Sequence, residues 1–334
     1  MSYEQKVLRL ATARLEEARL RRADRQADRR NKVYADLPRV AEIDRQLRQT
    51  ALEIVTVSLR GGEDPAPAVA ALREKNMALQ AERAALLSAA GLSGEVLDDT
   101  PLCARCGDTG WRGAVMCDCL RVLCAQEQIR ELSKLLDLGE QSFDALRLDY
   151  YGTSPWPGRD ISPRENMEMV SEICRNYAQR FGRFYFNNLL LTGAPGLGKT
   201  FLSACIARTV SENGFSVVYD TAGQIFAHFE DQKFSRDTET ASEARDETRR
   251  YLGCDLLILD DLGSELTTPF VQAALYRIVN TRLVGAQHTV ISTNLSMDEL
   301  RRRYTPQVAS RLEGEYRALP FFGDDIRMLK KKGL

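Results

Sequence analysis

The chain has 334 residues, of which 46 are Lys or Arg and 47 are Asp or Glu, so its formal net charge is -1 at pH 7. This balance excludes a uniformly basic surface, and any nucleic acid or acidic partner must be met by a local patch. The length and a hydrophobic content of 44% predict globular structure with about two domains, each with its own core.

The N-terminus is too charged for a secretory signal, and no apolar run approaches the roughly 20 residues of a membrane span. We therefore expect no membrane contact and a cytoplasmic location. The chain contains eight cysteines. In a reducing compartment, clustered thiols bind metal or do redox work more often than they form disulfides.

Residues 1–98 are predicted to form a helical, coiled-coil-like region. They are rich in Ala, Leu, Arg and Glu, and apolar residues such as Val40 and Ile43 recur at helical spacing. Pro38 is predicted to open a second helix, and the sequence GGEDP at residues 61–65 interrupts the pattern again. Three antiparallel helices and a helical hairpin are both compatible with this pattern.

A cysteine cluster lies in the next segment, residues 99–140. Its pattern C-x2-C-x10-C-x-C is formed by Cys103, Cys106, Cys117 and Cys119. Four thiolates on two turns suit a closed tetrahedral Zn²⁺ site, and a short segment with little core gains folding energy from such a metal. The alternative is a redox pair formed by the first two cysteines. Because a C-x-C pair is unusually tight, Cys124 remains a reserve ligand; a helix is predicted after the cluster.

Residues 141–163 are predicted to be a linker, because residues 152–163 hold three prolines and two glycines. In residues 164–334, helical and strand-like segments alternate, which predicts a parallel sheet covered by helices. The predicted fold class is α/β, preceded by a helical region and a small zinc-binding segment.

A phosphate-binding loop opens the α/β region. Residues 193–200 read GAPGLGKT and lie between an apolar run and a segment of helical composition. Glycines let main-chain N–H groups point at phosphate oxygens, the lysine neutralises the β- and γ-phosphates, and the threonine hydroxyl binds Mg²⁺. The residues assigned to these tasks are Gly193, Gly196, Gly198, Lys199 and Thr200. The sequence therefore predicts binding of a nucleoside triphosphate.

Two further strand ends carry polar side chains. Asp260 follows the apolar run 256–259 and is assigned to Mg²⁺, directly or through water. Asp261 stands where a glutamate usually polarises the attacking water, and its side chain is one methylene shorter, so slow hydrolysis is expected. Asn294 closes the run 290–293 and is expected to orient the same water, with a plain turn residue as the alternative.

Four segments, in this order and spacing, resemble the AAA+ ATPases of the DnaC and DnaI helicase loaders and their IstB transposition-helper relatives. They read GAPGLGKTFLSACIA, DLLILDDLG, VISTNLS and SRLEGEYRALPFFGDDIR, and the resemblance covers roughly residues 143–334. The upstream CARCGDTGW and CDC segments resemble the zinc-binding N-terminal region of DnaI-type loaders. This second match favours the loader over the IstB helper.

The resemblance implies an AAA+ ATPase that binds the replicative hexameric DNA helicase and helps to place it on single-stranded DNA during replication initiation. It implies slow, assembly-stimulated hydrolysis of ATP with Mg²⁺, and self-association through the AAA+ domain. Arg311 then corresponds to the arginine finger and Arg327 to the sensor arginine, whereas the residues alone leave a surface role equally open for each.

Contacts with single-stranded DNA are expected in residues 221–250, where aromatic and basic side chains mix. These are Phe226, Phe229, Lys233, Phe234 and Arg236. The residues alone favour a blander explanation, namely packed aromatics under a solvated charged helix. Two other functions stay open for the whole chain: an IstB-like ATPase helper of a transposase, and a zinc-organised scaffold in which ATP is structural.

Overall fold

The computed structural model describes residues 3–59, 66–136 and 141–331, so the interruption predicted at residues 61–65 lies outside the described residues. The chain divides into two compact units. One is Ala13–Cys117, and the other combines Met1–Thr12 with Asp118–Leu334. Among the helices of the described ranges, none combines the length and the apolar composition that a membrane span requires.

The N-terminal region is helical, as predicted. Its helices are α1 (Gln5–Asp36), α2 (Pro38–Leu59) and α3 (Ala66–Ala89). Helices α2 and α3 form an antiparallel hairpin, because Arg39 bonds to Glu82 near one end and Thr50 bonds to Asn76 further along. The break before α2 falls at Leu37, and α2 begins at Pro38, where a proline is tolerated because the first helical N–H has no partner to lose.

The cysteine segment follows α3 and contains little regular structure. A short antiparallel hairpin consists of β1 (Trp111–Arg112) and β2 (Val115–Met116). Helix α4 (Asp118–Leu136) begins directly after it.

The second unit is built on a five-stranded parallel sheet. Its strands are β3 (Asn188–Thr192), β4 (Val217–Thr221), β5 (Leu256–Leu262), β6 (His288–Thr293) and β7 (Arg317–Pro320). Their order across the sheet is β4-β5-β6-β3-β7. All strands are parallel, so β3, β5 and β6 place their carboxyl ends at one edge. This edge carries the loop and the acidic residues that the sequence singled out.

Helices cover both faces of this sheet, which confirms the predicted fold class. They are α5 (Pro163–Gln179), α6 (Lys199–Glu212), α7 (Ala222–Phe234), α8 (Thr238–Gly253), α9 (Pro269–Val284), α10 (Met297–Arg303), α11 (Pro306–Glu315) and α12 (Ile326–Lys331). Successive side chains of a strand point to opposite faces. Accordingly Leu189 and Leu191 enter the core beneath α5 and α6, whereas Leu190 enters the core beneath α7 and α9.

Helix α4 and residues 141–163, which the sequence analysis placed outside the α/β region, belong to this second unit. Helix α4 packs on it, since the Gln128 amide bonds to Ser211 at 2.8 Å and accepts from the Val217 N–H at 2.9 Å. Residues 141–163, predicted as a linker, bury Phe143 and Tyr151 in the core beneath α5 and α6. Prolines and glycines indicate irregular backbone, but irregular backbone can still pack when it carries large apolar side chains.

Candidate nucleotide site and cysteine cluster

The phosphate-binding loop connects the carboxyl end of β3 to the first turn of α6. Positive φ angles of 145°, 77° and 95° are found at Gly193, Gly196 and Gly198. A Cβ atom at Gly193 would lie 2.2 Å from the Phe321 carbonyl oxygen, and one at Gly196 would lie 2.0 Å from Asp325 Oδ1. Glycine is therefore required twice over at these positions, by conformation and by the close approach of the C-terminal segment.

Lys199 lies inside the loop, and its side chain is buried. Its Nζ donates to the carbonyl oxygens of Gly193 at 2.5 Å and Ala194 at 2.8 Å, and to Asn294 Oδ1 at 2.8 Å. Burial lowers the pKa of Lys199 from 10.5 to about 8, although the nearby Asp261 and Asp260 carboxylates act in the opposite direction. An anion reaching this ammonium would meet a partly desolvated cation, and such an environment strengthens the attraction.

Asp260 lies at the carboxyl end of β5 and is 6% exposed. Its Oδ2 accepts a hydrogen bond from Thr200 Oγ1 at 3.1 Å and another from the Tyr219 hydroxyl, while its Oδ1 accepts from Ser292 Oγ. The structure thus brings together the two predicted magnesium residues, Thr200 and Asp260. Hydroxyl and carboxylate oxygens are the donors that Mg²⁺ prefers, so this set fits the ion.

Asp261 and Asn294 form a second pair beside the lysine. Asn294 Nδ2 donates to Asp261 Oδ1 at 2.9 Å, and the Asp261 N–H donates to Ser292 Oγ at 2.9 Å. Asp261 has a φ of 59°, and the pairing of β5 with β6 shifts register between Leu259 and Leu262. A bulge of this kind turns a side chain away from its regular direction. Here it directs Asp261 to the same cavity as Asp260.

The C-terminal segment reaches the phosphate-binding loop through backbone contacts. The Ile326 N–H donates to the Gly196 carbonyl at 3.0 Å, and the Arg327 N–H donates to Asp325 Oδ1 at 2.8 Å. Arg327 lines the cavity with Lys199. Arg311 does not line it: this arginine lies on α11 with its guanidinium 5.5 Å from the Tyr276 ring centre. Of the two predicted arginines, Arg327 therefore lies at the cavity and Arg311 lies outside it.

These groups surround one cavity of about 650 Å³. Its other wall comes from residues 141–151, which the sequence assigned to a linker. Arg147 lies 4.5 Å from the centre of the Tyr150 ring, and the Tyr151 hydroxyl donates to the Leu197 carbonyl at 3.1 Å. These residues were not predicted to belong to the site, although the aromatic and basic stretch RLDYYG was a usable signal.

The four cysteines singled out by the sequence form one cluster. The sulfur atoms of Cys103, Cys106, Cys117 and Cys119 all lie within 4.8 Å of one another. Cys103 Sγ and Cys117 Sγ are 3.8 Å apart. Four thiolates placed tetrahedrally at a Zn–S distance of about 2.3 Å are separated by about 3.8 Å, so the arrangement fits Zn²⁺.

Cys124, the reserve ligand, is not part of this cluster. Cys124 is buried elsewhere and is not one of the grouped sulfurs, so it is not needed as a fourth ligand. Burial raises the pKa of Cys124 to about 11, which favours the neutral thiol.

Asp108 is buried under the turn that carries the first two cysteines. Its carboxylate accepts hydrogen bonds from the N–H groups of Leu102 at 3.0 Å and Cys103 at 2.7 Å, and it forms an ion pair with the Arg22 guanidinium. The Asp108 carboxylate therefore holds the backbone that carries the first cysteine pair.

The aromatic and basic residues of the segment 221–250 separate into two groups. Phe226 and Phe229 are buried in the core beneath α7 and α9. Phe234 is 62% exposed and its ring lies 5.3 Å from that of Phe270, with Lys233 Nζ within 5.3 Å of both ring centres. Packing thus accounts for the first group, and a small exposed patch remains.

Fold and site together define an AAA+ P-loop domain: the phosphate-binding loop follows β3, and the acidic strand β5 is separated from β3 by β6. The sequence model of the family described as "IstB-like ATP binding protein" matches residues 184–310. The chain is also similar to the replicative helicase loader DnaC of Escherichia coli strain K12, with 25% identity over 138 residues. This match covers 41% of the present chain and 54% of the relative, so the chain spans about half the length of that protein.

Two solved structures are similar to the chain as well. The crystal structure of the DnaC helicase loader has a TM-score of 0.44 and 17% identity, and covers 56% of this chain and 99% of that one. The crystal structure of DnaI has a TM-score of 0.43 and 18% identity, and covers 57% and 93% respectively. The family model and the DnaC sequence both match the ATPase region, and they support there the resemblance stated from the motifs.

Proposed function

We propose that the chain is an ATP-dependent loader that binds the replicative hexameric DNA helicase and helps to place it on single-stranded DNA. The observation that carries this proposal is the convergence of Lys199, Thr200, Asp260, Asp261 and Asn294 on one cavity, in a domain of DnaC type. The four-cysteine cluster, which precedes this domain in the sequence, supports the loader over other AAA+ functions, because the cysteine segment resembles the zinc-binding N-terminal region of DnaI-type loaders.

ATP would bind with its phosphates along the loop 193–200 and its base toward the wall formed by residues 141–151. Lys199 would exchange its loop carbonyls for phosphate oxygens, and helix α6 would add its positive N-terminal end. Thr200 and Asp260 would hold Mg²⁺, which neutralises charge on the β- and γ-phosphates. Arg327 would meet the same phosphates from the C-terminal segment.

Hydrolysis would use the pair Asp261 and Asn294. Asp261 polarises the attacking water, and Asn294 orients it while it holds Lys199. Because Asp261 is shorter than a glutamate, we expect slow turnover. Turnover would rise on self-association through the AAA+ domain, since Arg311 lies outside its own cavity and is free to serve a neighbouring subunit as an arginine finger.

A loader also needs surfaces that contact the helicase and single-stranded DNA. We assign the N-terminal helical region and the zinc-binding segment to the helicase. For single-stranded DNA we assign the exposed patch of Lys233, Phe234 and Phe270, because a cation beside aromatic rings suits stacked bases and phosphates.

The test uses the full chain, the purified hexameric helicase of the same cell, and circular single-stranded DNA. With ATP, the wild-type chain should raise the amount of helicase that co-elutes with DNA in gel filtration. Lys199→Ala should bind the helicase but lose the ATP-dependent step. Lys331→Ala, which removes an exposed lysine outside the cavity, is the matched control. No complex with the helicase at micromolar concentrations would contradict the loader.

A transposase helper is the second candidate, and the match to the IstB-like family model favours it. Such a helper would assemble on duplex DNA in the presence of ATP. The same gel-filtration experiment with duplex DNA and no helicase separates the two functions. Assembly on duplex DNA without helicase binding would support the helper. If Lys199→Ala kept every activity, ATP would be merely structural, and the scaffold interpretation would hold.

A further inference from the structure

We propose that Tyr219 is a positioning residue for the metal carboxylate Asp260, and that its hydroxyl sets the Mg²⁺ requirement of nucleotide binding. This inference rests on the proposed function, since it concerns the same Mg²⁺-dependent site. Tyr219 lies on β4, outside the phosphate-binding loop and outside the acidic strand, and no sequence motif of the site includes it.

Three hydroxyl groups donate hydrogen bonds to the Asp260 carboxylate. Both oxygens of Asp260 are held, Oδ1 by Ser292 and Oδ2 by Thr200 and Tyr219. Ser292 is itself fixed, because its oxygen accepts the Asp261 N–H at 2.9 Å. A carboxylate held at both oxygens cannot rotate freely, so its direction is set before any ion arrives.

Two of these hydroxyl groups are buried. Tyr219 is 5% exposed and Ser292 is 1% exposed, so water does not replace either hydroxyl easily. The Tyr219 hydroxyl is the donor in its bond to Asp260, and the carboxylate oxygen is the acceptor.

Removal of the Tyr219 hydroxyl should weaken Mg²⁺ binding, because Thr200 and Tyr219 differ in whether they also bind the ion. In the proposed site the Thr200 oxygen is shared with Mg²⁺, and its bond to Asp260 Oδ2 is already long, at 3.1 Å. The Tyr219 hydroxyl is not a metal ligand, so it keeps its bond to Oδ2 when the ion binds. Because Thr200 is then occupied by Mg²⁺, Tyr219 is the one of these two donors that still holds Oδ2. Its removal is therefore felt most in the Mg²⁺-bound state, and the ion should bind less tightly.

The experiment measures nucleotide binding by the full-length chain at increasing Mg²⁺ concentrations, with a fluorescent ATP analogue as the probe. Tyr219→Phe keeps the ring and removes only the hydroxyl. We expect the half-saturating Mg²⁺ concentration to rise about tenfold, as for loss of a hydrogen bond to a charged group. Binding of ADP in excess EDTA should stay at the wild-type level, because it does not use the ion.

The matched control is Tyr177→Phe, which removes an equally buried hydroxyl that donates to the Asn187 carbonyl at 2.8 Å, away from the cavity. It should leave the Mg²⁺ curve unchanged. Ser292→Ala is a second test variant and should shift the curve in the same direction as Tyr219→Phe.

A wild-type Mg²⁺ curve for folded Tyr219→Phe would overturn the inference, and so would an equal shift in Tyr177→Phe. Because the readout is binding, failure of the proposed function is distinguishable. A chain that binds Mg²⁺ and ATP but never engages a helicase would contradict the loader and leave the role of Tyr219 standing.

Discussion

Asn294 accepts a hydrogen bond from Lys199 at 2.8 Å, which joins the end of β6 to the phosphate-binding loop. The other end of the same amide donates to Asp261 at 2.9 Å. A single side chain thus connects the cation that meets the phosphates with the carboxylate that would act on water. An amide is suited to this position because it offers an acceptor and a donor at once.

Asn294→Ala should lower the ATP turnover number by about a hundredfold, since one oriented polar group in a catalytic site is worth that order of magnitude. The dissociation constant for ATP should change little, because Lys199 keeps its charge and the loop keeps its shape. Steady-state hydrolysis and equilibrium binding measure the two quantities separately. Asn31→Ala, an exposed change on α1, is the control, and an ordinary turnover number for Asn294→Ala would leave Asn294 as a turn residue.

Nucleotide affinity should fall as the pH rises above about 8. Burial lowers the pKa of Lys199 to about 8 in the free protein, and bound phosphates would raise it again. Below this pH the lysine is already charged; above it, binding must take up a proton, so affinity declines with each further pH unit until the pKa of the complex is reached. Calorimetry with ADP between pH 7 and 9 measures this slope.

Proton uptake gives an independent check of the same titration. The binding enthalpy at pH 8.5 should depend on the ionisation enthalpy of the buffer. Lys199→Arg keeps a charge at every pH in this range, and should bind with little pH dependence. A flat affinity for the wild-type chain from pH 7 to 9 would show that Lys199 does not titrate there.

Arg311→Ala should reduce ATP turnover in the assembled protein by roughly a thousandfold, the lower value for an arginine finger. Binding of ATP to the monomer should be unaffected, because Arg311 does not line the cavity of its own chain. Arg302→Ala, an exposed arginine on the neighbouring α10, should behave as wild type. Mixing Arg311→Ala with Lys199→Ala should restore part of the activity, and no recovery on mixing would count against a finger in trans.

The cysteine cluster should hold about one zinc ion per chain, measured by elemental analysis of a reduced sample. Cys106→Ser should lose most of this zinc, and Cys124→Ser should retain it, because Cys124 is not among the grouped sulfurs. Chelation should increase amide hydrogen exchange around residues 100–119. A metal-free protein with normal exchange there would support the redox interpretation instead.

Gly193→Ala should lower the free energy of unfolding by about 2 kcal/mol or more, because a positive φ is costly for alanine and its Cβ would lie 2.2 Å from the Phe321 carbonyl oxygen. Gly223→Ala in α7 meets nothing within 4 Å and should stabilise the protein by up to about 1 kcal/mol. Urea unfolding of both variants gives the comparison. Equal stability of the two would mean that the contact between the loop and the C-terminal segment is not tight.

The local chemistry of this protein could be predicted from its amino-acid sequence. A helical N-terminal region, a parallel sheet and a phosphate-binding loop follow from spacing along the chain, because each depends on neighbouring residues and on hydrophobic periodicity. For the same reason the tetrad of cysteines could be recognised from its two pairs, and it indeed lies together.

Which distant residues share the cavity could be learned only from the folded chain. Tyr219 lies on a strand without a motif, Ser292 lies within the VISTNLS segment but had no role assigned to it, and strand pairing brings both to Asp260. Residues 141–151 were included in the predicted linker, yet burial of Phe143 and Tyr151 makes this segment a wall of the site. These contacts join positions far apart in the chain, and they depend on strand order and packing, which periodicity does not encode.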